Sequence, residues 1–114
     1  MNRLQDIELS DRDRRVIRLA AELLYEQFPV RQVVLFGSKA RGDDDRHSDI
    51  DLLILTSREM GRGEKDEVLG ALYELELEHE VLFSPLIIHD EQWWHGLYQV
   101  LPIRHEIDRE GVAA

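Results

Sequence analysis

Val34-Leu35-Phe36-Gly37-Ser38-Lys39-Ala40-Arg41-Gly42, followed after a polar interval by Ser48-Asp49-Ile50-Asp51-Leu52-Leu53-Ile54, is the stretch of this 114-residue sequence from which the fold is read. Arg31 to Phe36 is an apolar run just after Pro29, and it predicts a short buried β-strand that ends in a Gly-Ser turn. Gly37 to Ser48 is mostly polar, holds two glycines and reads as a loop with room for one helical turn. Asp49 to Thr56 is rich in branched residues and predicts a second strand. Side chains alternate across a strand, so Asp49, Asp51 and Leu53 share one face while Ile50, Leu52 and Ile54 take the other.

Two aspartates side by side repel each other, and presenting both on one strand face costs stability unless a divalent cation neutralises them. Magnesium takes oxygen ligands, keeps several waters and is typically held by one or two carboxylates together with substrate phosphates. Gly37 lets the backbone approach such a phosphate, a helical turn beginning there would aim N–H groups at it, and Ser38 adds a hydroxyl donor. Lys39 and Arg41 are further candidate phosphate ligands, Arg41 through its bidentate fork. Phosphoryl and nucleotidyl transfer need mainly positioning and charge neutralisation, which this set of groups can supply.

Outward from this centre, Ser10 and Asp13 resemble a capping box. Ile17, Ala20, Leu24 and Phe28 recur at helical spacing, predicting a helix over about 11–27. After Gly61-Arg62-Gly63, the positions Val68, Leu72 and Leu75, with Leu69 and Tyr73 alongside, predict an amphipathic helix. The period-two alternation of Glu74 to Glu80 leaves open an early start for the third strand, whose apolar run is Val81 to Ile88. Pro85 inside that run points to a sheet edge or a bulge. A last helix carries Trp93, Trp94, Leu97, Tyr98 and Leu101, is interrupted by Pro102 and closes before Gly111. The expected fold is α/β in order of elements, a small mixed sheet of three to four strands with helices packed on it, forming one domain over 1–114.

A formal charge of −10 argues against a protein that tracks nucleic acid by its phosphates, and favours free nucleotide with metal or a basic protein partner. The absence of cysteine rules out disulfides, thiolate metal sites and a Cys nucleophile, and is compatible with the cytoplasm. The first residues show no apolar leader, and no stretch approaches the roughly 20 apolar residues that span a bilayer. A cytoplasmic location without membrane insertion is expected.

The residues quoted at the outset resemble the minimal nucleotidyltransferases of the polymerase-β superfamily, strongly over 33–55. In that family the glycine and serine bind triphosphate, the paired aspartates bind Mg²⁺, and a nucleoside monophosphate passes to a hydroxyl. The resemblance places these roles on Gly37, Ser38, Asp49 and Asp51, with ATP as the donor. The short chain and the ten residues between Ser38 and Asp49 are also similar to antitoxin members of the family, which pair with a helical HEPN-domain toxin and attach AMP to a toxin tyrosine. A HEPN-type partner would then be both partner and substrate, and a strongly negative chain suits a basic one. One departure stands out. Active members usually bring a third carboxylate from the next strand, where this sequence has Ser84, and Glu80 is the nearest substitute of the same parity.

Taken alone, a Gly-Ser pair after a strand is commonly just a turn, and Asp-x-Asp a solvated strand end. Their order on adjacent strands carries the assignment. Asp43, Asp44 and Asp45 read as a solvated loop tip, since an EF-hand's glycine and final glutamate are missing. Gly37 to Gly42 lacks the Gly-Lys-Ser/Thr ending of a P-loop. His47 reads as a surface histidine, and His79, His89, His95 and His105 have no zinc-site spacing. Of Trp93 and Trp94, one is expected in the core and the other at an interface. The leading expectation is Mg²⁺-dependent AMP transfer to a protein hydroxyl. The alternative is a degenerate member that neutralises its partner by contact, and transfer to a small molecule ranks third because no second domain forms a substrate pocket.

Overall fold

A computed structural model describes residues 1–43 and 47–114. Asp44 and Asp45, expected in a solvated loop tip, lie outside the described residues. The first helix, α1 (Asp11–Gln27), is started by Ser10, whose side chain accepts the Asp13 N–H, and Asp11 and Asp13 in its first turn oppose the positive end of the helix dipole. Val16, Ile17, Ala20, Ala21 and Leu24 form its buried face. Phe28 is extended, as the residue before a proline must usually be, and the chain enters β2 (Val30–Phe36).

A four-residue helix, α2 (Ser38–Arg41), follows, then β3 (Ile50–Thr56), α3 (Arg62–His79) and β4 (Phe83–His89). β2 and β3 run antiparallel, whereas β3 and β4 are parallel and α3 makes the crossover that a parallel pair requires. Among the described residues the sheet has five strands, more than the three to four expected, and with β1 (Asn2–Arg3) and β5 (Val112–Ala113) their order is β1-β5-β2-β3-β4. These additional two are two residues each, too short to show any period of alternation.

Both faces of the central strands are covered. Ile50, Leu52 and Ile54 pack with the apolar residues of α1 and α3, and Val34, Leu53 and Leu55 pack with Trp93 and Ile107. Two-sided burial explains why β3 reads as a nearly unbroken apolar run. The helix α3 continues to His79, through the residues whose period-two pattern had suggested a strand. Its buried positions Val68, Leu72 and Leu75 have helical spacing, and Leu77 is exposed. Pro85 lies in β4, an edge strand as expected. The tail divides into α4 (Asp90–His95), a 3-10 turn and α5 (Pro102–Glu110), with Pro102 at the first helical position, where its missing N–H costs nothing. Trp93 is the core tryptophan, Trp94 is exposed, and the Arg104 guanidinium lies over both rings. No helix among the described residues is long and apolar enough to cross a membrane.

A buried ion pair ties α2 to α1. Lys39 Nζ lies 2.7 Å from Asp13 Oδ2, and both side chains are almost fully enclosed. Among the described residues Asp13 Oδ1 accepts no hydrogen bond, and it has the Arg12 guanidinium 3.6 Å away, so the short Lys39 contact on Oδ2 is the closer of two cationic partners. Lys39→Ala is expected to destabilise the protein by about 3–5 kcal/mol in urea unfolding, and the double change Asp13→Leu with Lys39→Met to recover most of that loss.

Candidate functional site

β2 ends at Phe36, and the chain turns at Gly37 with φ 77 into α2. The backbone N–H groups of Ala40 and Arg41 both donate to the Gly37 carbonyl at 3.1 Å. Two separate constraints demand glycine here. The positive φ disfavours any side chain, and a Cβ would sit 2.1 Å from Asp51 Oδ2. The carboxylate of Asp51 therefore rests against the turn that opens α2.

Strand register supplies the rest. Asp51 stands opposite Phe36 on one side and Ser84 on the other. Asp49, just before β3, accepts a hydrogen bond of 3.0 Å from the Ser84 hydroxyl. The structure thus brings Gly37, Ser38, Asp49 and Asp51 to one end of the sheet, with Ser84 at the strand position where a third carboxylate was considered. Burial pushes the Asp51 carboxyl above the usual carboxylate range. Asp49 adds to the rise, Arg41 opposes it, and Glu106 raises it further.

Arg41 reaches the same end but is already engaged. Its guanidinium lies 3.0 Å from Glu110, 3.6 Å from Glu106 and 3.2 Å from Asp43, and the Glu110 and Asp43 hydrogen bonds raise its pKa. Lys39, considered above as a phosphate ligand, is turned into the core instead. Glu80, considered as the substitute third carboxylate, is outside β4. It caps α3 in the left-handed conformation, φ 56, and lines a cleft of about 330 Å³ with Asp13, Lys39, His47 and Ser48. Glu106 and Glu110 were not anticipated. They arrive from α5, far along the chain, and only tertiary packing places them beside Arg41.

Among the described residues there is no cluster of three or more metal-ligating side chains. Two mutually repelling carboxylates, one of them desolvated, nevertheless form a donor set that fits a hard divalent cation sharing its coordination with phosphate oxygens and water.

The profile of the nucleotidyltransferase domain family matches residues 17–89. A candidate protein adenylyltransferase of Methanocaldococcus jannaschii, MJ0141, is 41% identical over 56 residues, which span 49% of this chain and 57% of that protein. In fold, the chain is similar to a candidate nucleotidyltransferase from Sulfolobus solfataricus, with a TM-score of 0.56 at 20% identity over 87% of this chain and 76% of the other. It is also similar to a chain of a toxin-antitoxin complex crystallised with AMP-PNP, with a TM-score of 0.59 at 17% identity over 90% of this chain and 71% of that one.

The raised pKa of Asp51 has a sign. Its carboxyl holds a proton more tightly folded than unfolded, so the ionised group subtracts stability near neutral pH, and the loss is recovered as pH falls through the raised value. Without metal, Asp51→Asn is expected to raise Tm near neutral pH, with the gain shrinking on acidification. Gly37→Ala should lower Tm at every pH, and scanning calorimetry of the two variants across a pH series separates the effects.

Proposed function

The chain belongs to the nucleotidyltransferase domain family, and on that premise we propose that it transfers AMP from ATP, with Mg²⁺, to a hydroxyl of a partner protein. The observation that carries this is the seating of the Asp51 carboxylate against the Gly37 turn, beside Asp49. It joins a carboxylate pair to a backbone turn suited to phosphate. In this proposal Gly37 and Ser38 hold the triphosphate, Asp49 and Asp51 hold the metal, and Arg41 adds a cation once it exchanges its carboxylates for phosphate oxygens. Magnesium, when bound, neutralises charge on the reacting triphosphate. The acceptor oxygen forms a bond to the α-phosphorus, the bond to pyrophosphate breaks, and the hydroxyl proton leaves to a base.

Adenine as the base and a protein as acceptor are supported by the name of the Methanocaldococcus relative. The likeness to a toxin-antitoxin chain supports an antitoxin role. The HEPN-type toxin as partner and acceptor follows from the sequence resemblance. A second reading is favoured by Ser84. Its hydroxyl donates to Asp49, and a serine there provides neither a metal charge nor a ready proton acceptor. In that case the chain holds nucleotide and neutralises its partner by contact alone.

Incubation with α-labelled ATP and Mg²⁺, with and without the product of a neighbouring gene, separates the readings. Label is expected on the partner with wild-type protein and to fall by at least about a hundredfold with Asp49→Asn. A stable complex that never acquires label, and that survives Asp49→Asn, would establish the contact reading instead.

A further inference from the structure

We propose that the groove between α3 and β4 is the docking surface for a basic amphipathic helix of a partner protein. The inference rests on the reading that this chain acts against a protein, and adds where that protein is held. Leu69, Tyr73 and Leu77 recur every four residues along α3 on the side away from the core, and all three are exposed, Leu77 at 66%. Leu69 and Tyr73 line a groove of about 390 Å³ together with Gly70, Glu76, Phe83 and Pro85, and Leu77 follows one turn further along the helix. A Cβ added at Gly70 meets nothing within 4 Å, so the groove is open at that point. An exposed apolar stripe of this kind is a common mark of an interaction surface.

Two alternative occupants fit poorly. An added strand would find no free donor along the first half of the β4 edge that borders the groove, because the Glu76 carboxylate takes the Phe83 N–H at 2.7 Å and Pro85, oriented the same way in the strand, has no N–H. A second copy would bring like charges together. From Asp66 to Glu91 the sequence has no Lys or Arg, while Glu74 and Glu78 are exposed on α3 and Glu80 is exposed at its end. A helix with an apolar stripe and flanking Lys or Arg answers both the shape and the charge.

The test is calorimetric titration with a synthetic Leu/Lys amphipathic peptide of about five helical turns, and with its Leu/Glu counterpart. Wild-type protein is expected to bind the first and not the second. Gly70→Arg, which places a charged side chain in the groove and favours helix, should weaken binding at least about tenfold. Gly63→Arg also enters open space and adds the same charge outside the groove, and should leave binding unchanged. Equal affinity in all three proteins, or equal loss in both variants, overturns the proposal. So does self-association of the wild type in sedimentation that Gly70→Arg abolishes, since that assigns the groove to a second copy. ATP binding by the same variants isolates the nucleotide-site proposal, because Gly70 and Gly63 lie outside that site.

Discussion

A helix of four residues has no stability of its own, because nucleation fixes several residues for a single hydrogen bond. Something else must hold α2 in place, and the Lys39 to Asp13 contact does so from beneath. The pair is enclosed, so breaking it leaves a buried charge, and that penalty fixes α2 against the first turn of α1 more firmly than a surface bridge would. Gly37, Ser38 and Arg41 inherit their positions from this anchor. Asp51 then approaches Gly37 closely because the register of β2 and β3 sets it opposite Phe36.

The same arrangement shapes the charge of the site. With Lys39 paired in the core, Arg41 is, among the described residues, the cation that acts on Asp51, and Glu106 and Glu110 of α5 share it. On the proposed reading, a phosphate arriving at the Gly37 turn would compete with those carboxylates for Arg41. The tail of the chain thereby bears on a motif near its middle.

Much of this was legible in the residues and some was not. The α1 boundaries follow from Ser10 and Pro29, which act locally, and the burial of β3 on both sides follows from its unbroken branched run. The end of α3 was obscured because Glu and Leu alternate from Glu74 to Glu78, a strand-like period in a segment that α3 nonetheless makes helical. β1 and β5 gave no pattern because two residues cannot show one. That Gly37, Ser38, Asp49 and Asp51 come together at one end of the sheet was legible from residue type and spacing. The inward turn of Lys39 was not, since it depends on a partner elsewhere in the chain. The same is true of Glu106 and Glu110, whose position is set by how α5 packs.

Both tryptophans of the chain are on α4, one in the core and one exposed, and a single arginine of α5 covers both rings. Trp93 packs with Leu53 and Ile107, in the layer on the same side of the sheet as Asp51, while the α1 and α3 layer contains no tryptophan. The intrinsic fluorescence of the protein is thus a one-sided reporter: its colour and quenching follow the joint of α4 with α5, and loosening of the opposite layer registers only when it reaches that joint.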